Sequence, residues 1–254
     1  MKKSIESCIQ DLKSNGICVL SNFFDNSFCK GAIKEMDQII IKNKQYVHSQ
    51  IDEGASGDDR LFKIENQSKF AKIFKNDSFL NAIIKDTSKE KLESYFILGG
   101  RLNFDSKVSR NSGGGWHRDG DQSQLKIMVY LNDVESTNGP FLFIPNSMKF
   151  DAKRNKIEVK DSLKRKIYIK LGKIKEIDPR YMESSIEEYV EKKNLNIKEI
   201  TGKAGTVVLF DGSFIHRGKI IEEGVRYSYT NYFFKSDLRT KYSKNKQFKK
   251  YFLK

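Results

Sequence analysis

Residues 124–131 read QLKIMVYL. Leu125, Ile127, Val129 and Leu131 fall on one face of an extended chain, and Gln124, Lys126, Met128 and Tyr130 on the other. That period of two predicts a strand with one apolar face on a core and a mixed face opposite. Four further segments share strand character: YFILGGRLNF (95–104), FLFI (141–144), GTVVLF (205–210) and VRYSYTNYFF (225–234). Asn138-Gly139-Pro140 reads as a turn. The N-terminal part differs. Residues 3–14 predict a helix stopped by Asn15-Gly16, and 17–20 a short strand. Asp25 or Asn26 is placed to cap a second helix, with Cys29, Ile33, Met36, Ile39 and Ile40 on one face. GASGDDR (54–60) reads as a loop and 66–87 as one or two short helices. A polar insertion at about 147–200 holds a helix at 183–193, and the tail after 237 reads as helical. Helices come first and strands follow, unlike the alternation of a parallel α/β sheet. The expected fold is mainly β with flanking helices, an antiparallel sandwich or jelly roll. With no Pro/Gly/Ser-rich joint, residues 1–254 read as one domain. It has a helical part over 1–94, a jelly-roll core over about 95–235, and a basic tail over 235–254.

The 254 residues are 38% hydrophobic and 31% charged, with 12% aromatics, which excludes a disordered chain. No apolar run approaches the ~20 residues that span a bilayer. The opening MKKSIESCIQDLK is too polar for a secretory signal. Three cysteines (Cys8, Cys18, Cys29) with no CxxC pair read as free thiols in a reducing cytoplasm. Net charge is +14, but residues 235–254 alone carry +7, and 37 of the 47 basic residues are lysine. Arginine, the usual reader of bases and phosphates, is scarce, which argues against nucleic acid as a partner.

Two of the three histidines stand in suggestive settings. His117 and Asp119 lie two apart in GGGWHRDG, so an extended chain points both to one side. His216 follows a strand in FDGSFIHRG. Two imidazoles and one carboxylate make the facial triad of non-haem Fe(II) oxygenases. Arg226, ten residues on, shares a strand face with Ser228 and offers a bidentate fork for a carboxylate. Each piece has an ordinary alternative: a structural His at a strand end, or a strand Arg paired at the surface.

Taken together, WHRDG (116–120), LNDVESTNGPFLFIPNSMK (131–149), GTVVLFDGSFIHRG (205–218) and VRYS (225–228) resemble the phytanoyl-CoA dioxygenase-like family of Fe(II)/2-oxoglutarate-dependent oxygenases. GICVLSNFFDNSFCKGAIKEM (16–36) looks like its N-terminal strand and helix. The resemblance implies a double-stranded β-helix (cupin-like) core. It implies Fe(II) on His117, Asp119 and His216, and 2-oxoglutarate on Arg226 and Ser228. With O2 as co-substrate, a small molecule would be hydroxylated with release of succinate and CO2. Asp119 favours hydroxylation over halogenation, because related halogenases lack this carboxylate. One departure is Pro145-Asn146-Ser147-Met148, where Pro-Gly-Ser-His is usual. Asn can keep the left-handed turn, and Met148 alters the substrate mouth rather than the metal set.

Candidate pocket residues are Asn103, Trp116, Lys126, Met128, Tyr130 and Arg217. Arg118 should point away from the metal, toward substrate or solvent, Asp211 support a loop or contact a metal ligand, and His48 sit at the surface or in a loop. Residues 52–60 and 147–200 are candidate lids, and an anionic substrate is one expectation. The alternatives are a nucleic-acid demethylase with the same iron chemistry and a non-catalytic jelly-roll binding protein. Tyr232, six residues after Arg226, stands where the known demethylases carry a second arginine.

Overall fold

The computed structural model describes residues 3–49, 58–88, 90–106, 114–120, 123–147, 163, 166–167, 170–171, 180–235 and 252–254. Ser4 accepts from the Ser7 amide at 3.2 Å and starts α1 (Ile5–Asn15). Gly16 ends it at φ 77°, where a Cβ would also lie 2.5 Å from the Phe214 ring. After β1 (Ile17–Leu20), Asp25 caps α2 (Asn26–Lys42) by accepting from the Phe28 amide at 2.8 Å. There follow β2 (His48–Ser49), β3 (Asp58–Phe62), α3 (Lys69–Lys75), α4 (Ser78–Thr87), β4 (Glu93–Asn103), β5 (Leu125–Tyr130) and β6 (Phe141–Phe143). The last described elements are α5 (Glu183–Lys193), β7 (Lys198–Ile200), β8 (Val207–Asp211), β9 (His216–Gly218) and β10 (Val225–Phe234).

The strands form two antiparallel sheets. The larger has the order β1-β8-β5-β10-β4-β3-β2, the smaller β7-β6-β9. The apolar face of β5 packs outward. Leu125, Ile127 and Val129 join Val207, Leu209, Ile97 and Tyr229 against Leu12, Met36, Phe74 and Ile83 of the four N-terminal helices. Burying such a side chain stabilises by about 1.5–3 kcal/mol, which fixes the register of the sheet on the helices. The other face of β5 turns into the jelly roll. Met128 and Tyr130 pack there with Val208, Phe210, Phe141 and Phe143. The Tyr130 hydroxyl donates to the Ile200 carbonyl at 2.9 Å and accepts from the Phe141 amide at 3.0 Å, fastening the small sheet over the large one.

One region departs from the sequence reading. GASGDDR was expected to be a loop, yet Asp58–Phe62 is a strand paired with β4. Three consecutive charged residues hid it, and two of them, Asp58 and Arg60, line a cavity, as does Phe62. The helix expected after 237 and most of the proposed lids lie outside the described residues. The chain end is described, and it docks: the Leu253 amide donates to the Phe62 carbonyl at 3.0 Å, and Leu253 is 1% exposed. Among the described residues no helix is long and apolar enough to cross a membrane.

Candidate active site

His117 and His216 face each other across an antiparallel bridge. The His117 amide donates to the His216 carbonyl at 3.0 Å, and the His216 amide to the His117 carbonyl at 2.9 Å. Directly opposed residues project to the same side of a sheet, so the imidazoles meet with centroids 4.5 Å apart. Asp119, two residues on, points the same way, its amide donating to the Gly212 carbonyl at 2.8 Å. One ligand atom from each of the three residues falls within 4.8 Å of the others. The turn Asn146-Ser147 supports this from below. Asn146 takes the left-handed φ of 60°, and Ser147 Oγ accepts from the Ile215 amide at 2.8 Å, one residue before the distal histidine.

Each imidazole is oriented by its own chain. His117 Nδ1 lies 2.7 Å from the Gly115 carbonyl and His216 Nδ1 lies 2.8 Å from the Phe214 carbonyl. A carbonyl only accepts, so both Nδ1 atoms carry the proton and both Nε2 lone pairs face the cavity. Burial lowers the His117 pKa and pushes that of His216 down to about 3, so both rings are neutral near pH 7. Burial pushes the Asp119 carboxyl up, but Lys126, His216 and His117 outweigh it and hold its pKa at about 2. Its main chain is exposed, whereas its side chain keeps 18% of its surface. Two neutral imidazoles and an ionised carboxylate converging on one point can hold a divalent metal ion.

The ligand atoms open on a cavity of about 360 Å³ between the sheets. Arg226 and Ser228 of β10 line it with Asp58, Arg60, Met128 and Thr230. The Arg226 guanidinium donates Nη1 to the Gly139 carbonyl in the Asn-Gly-Pro turn. Its Nε is buried without a protein partner. A buried guanidinium nitrogen left unsatisfied is costly unless a ligand anion meets it, which fits the distal carboxylate of a 2-oxo diacid.

Among the proposed pocket residues, Lys126 and Met128 line this cavity. Lys126 Nζ donates to Asp119 Oδ2 at 2.7 Å. The other four are not among the residues that line it. Trp116 is 1% exposed in a separate apolar cluster, with Nε1 donating to Glu183 Oε1 at 3.1 Å. Arg217 pairs with Glu183 at 2.7 Å and covers the Trp116 ring, because it follows a ligand on a strand and so faces outward. The Tyr130 hydroxyl is consumed between the sheets. Asn103 ends β4 opposite Val225, outside the cavity lining. Arg118 turns to the Tyr181 hydroxyl at 2.9 Å. Asp211 braces its loop by accepting from Ser123 Oγ, the Gln124 amide and Ser213. His48 packs edge-on against Phe62 in β2. Sequence reasoning missed Arg60, Asp58 and Arg180, which line the cavity from a segment read as loop and from the insertion.

Comparison with known proteins adds three observations. A family model described as phytanoyl-CoA dioxygenase (PhyH) matches residues 12–220. No relative is detected among curated proteins. Several solved structures share the fold. The epimerase SnoN of nogalamycin biosynthesis, in complex with Fe3+, alpha ketoglutarate and nogalamycin RO, superposes with a TM-score of 0.65 at 11% identity, over 91% of this chain and 84% of its own. HygX from Streptomyces hygroscopicus, with nickel, 2-oxoglutarate and hygromycin B, gives 0.59 at 15% identity, over 90% and 86%. EctD from S. alaskensis with bound Fe gives 0.61 at 16% identity, over 89% and 75%.

Proposed function

The chain belongs to the phytanoyl-CoA dioxygenase family, and from that premise we propose that it hydroxylates a small molecule with Fe(II) held by His117, Asp119 and His216. As a member it is an iron- and 2-oxoglutarate-dependent oxygenase. Iron held by these three residues would supply O2 activation, with 2-oxoglutarate oxidised to succinate and CO2 as the co-substrate. The protein's own residues do the rest. The Gly115 and Phe214 carbonyls hold the two imidazoles in the tautomer that presents Nε2. Arg226 takes the distal carboxylate of 2-oxoglutarate on its free Nε, with the Ser228 hydroxyl beside it on the same strand face. Phe141 and Phe210 lie 5.4 and 5.5 Å from the His216 ring and exclude water from that side.

The observation that carries this reading is the meeting of three candidate ligand atoms and a buried guanidinium whose Nε has no partner among the described residues in a single cavity. A small-molecule substrate is favoured by the compounds bound in SnoN and HygX. The position six after Arg226 holds Tyr232, stacked on Phe96, which leaves no second arginine of the demethylase kind. The three buried free thiols suit a cytoplasmic enzyme.

Succinate release from the purified chain with Fe(II), 2-oxoglutarate and O2, with and without fractionated small-molecule extract, tests the proposal. Release above an Asp119→Ala control, stimulated by a fraction, is expected. No release with any fraction contradicts it.

A further inference from the structure

Beside the metal site lies a second cavity, of about 190 Å³, lined by Phe62, Tyr95, Phe96, Tyr232, Phe234 and Phe252. It shares Arg60, Leu98, Asp119, Lys126 and Tyr232 with the first, so the two are continuous at the metal-binding carboxylate. A register shift between β4 and β10 builds its walls. Tyr232 pairs with Phe96 but Phe233 pairs with Ser94, so Tyr95 is the extra residue of a bulge. Both Tyr95 and Phe96 thereby line the cavity instead of facing opposite ways. Phe252 closes the far side, its ring 6.3 Å from both Phe62 and Phe96. The parallel bridge of Phe252 to Phe62 and the burial of Leu253 anchor that wall.

Among the described lining residues of this cavity, the charged ones, Arg60, Asp119 and Lys126, all sit at the junction, and behind the far wall Lys63 Nζ lies 4.7 Å from the centre of the Phe252 ring and 5.6 Å from that of Tyr95. Lys126 Nζ lies 4.5 Å from the centre of the Tyr232 ring and 2.7 Å from Asp119. The described lining of the main cavity carries Arg60, Lys126, Arg180 and Arg226 against Asp58 and Asp119. A divalent ion and a 2-oxoglutarate dianion cancel each other, so this surplus of positive charge persists when both are bound. An apolar cavity of about 150 Å³ takes one benzene-sized ring. Aromatic walls alone would suit a cation, but Lys63 already lies over the Phe252 and Tyr95 rings, and although Lys126 is paired with Asp119 and Arg60 with Asp58, the net positive lining disfavours a second cation.

We propose that this alcove is the substrate site and that the substrate is a small aryl acid, its ring among Phe62, Phe96, Tyr232 and Phe252 and its anionic group at Lys126. This rests on the oxygenase reading above and narrows its substrate class.

The full chain, with and without Ni(II) and 2-oxoglutarate, is titrated with 3-phenylpropionate, indole-3-acetate, phenethylamine and propionate by calorimetry. Both aryl acids should bind at least tenfold more tightly than the aryl amine and than propionate. Phe252→Ala should weaken the aryl acids about tenfold, and Lys126→Met should erase the preference for acid over amine. Metal and 2-oxoglutarate binding without aryl-acid binding overturns the alcove assignment alone. Equal binding of acid and amine, or no effect of Phe252→Ala in a folded variant, also overturns it. Aryl-acid binding in a chain that takes neither metal nor 2-oxoglutarate keeps the alcove and overturns the oxygenase reading.

Discussion

The carboxylate of Asp119 occupies the space that a side chain at Gly212 would need: a Cβ at 212 would lie 2.0 Å from Asp119 Oδ2. The glycine of FDGSFIH is therefore part of the metal site although it offers no ligand. Gly212→Ala should weaken metal binding by at least tenfold while the far-UV circular dichroism stays native, because only the ligand must move. Metal titration of the variant at wild-type affinity would refute this packing argument.

Arg226 has one nitrogen given to the Gly139 carbonyl and another buried without a partner. A charge-assisted hydrogen bond contributes about 1.5–3 kcal/mol. Arg226→Ala should therefore raise the dissociation constant for 2-oxoglutarate by roughly 10- to 150-fold and leave metal binding within about twofold. Calorimetry on the metal-loaded variant checks it, and an unchanged constant would move the carboxylate elsewhere.

The metal-free chain should lose stability as pH falls. His216 is held neutral by burial, its pKa pushed from 6.5 to about 3. Between those values the unfolded chain binds a proton that the folded chain refuses. Stability is full above about pH 6.5 and falls toward pH 3 by up to ~1.4 kcal/mol per pH unit. Asp119, lowered from 3.8 to about 2, adds a further loss only as pH falls below its unfolded value. Urea denaturation of the metal-free protein between pH 7.5 and 5 should show the slope, and His216→Gln should reduce it, leaving the smaller part that His117 contributes. Parallel curves for the two proteins would contradict the neutral, buried imidazole.

The C-terminal Leu253 is 1% exposed and its amide is bonded to Phe62. Leu253→Ala should lower unfolding free energy by about 2–4 kcal/mol, without removing the metal ligands. A urea midpoint equal to wild type would show that the chain end does not dock.

Much of this was legible in the sequence, for physical reasons that differ by region. QLKIMVYL announced β5 because one of its faces is wholly apolar, and His117-x-Asp119 announced two candidate ligands because i and i+2 share a strand face. The N-terminal helices were legible through Asp25 and Gly16, which cap by local chemistry. β3 was not, because Asp58 and Arg60 face a polar cavity and therefore lack the apolar period that marks a strand. Trp116 and Arg217 were drawn toward the pocket by their nearness to the ligands in sequence. Strand alternation sends each to the far side, where Glu183 of the insertion meets both. No local pattern in the sequence reports that α5 lies there. The aromatic alcove was hidden for the same reason, since it joins β3, β4, β10 and the last three residues.

The most direct test of the central claim is anaerobic calorimetry of Fe(II), then 2-oxoglutarate, on the wild-type chain and on Asp119→Ala. One Fe(II) and one 2-oxoglutarate per wild-type chain are predicted, with both lost in a folded Asp119→Ala. Undiminished binding of both by Asp119→Ala would contradict the site built from His117, Asp119 and His216.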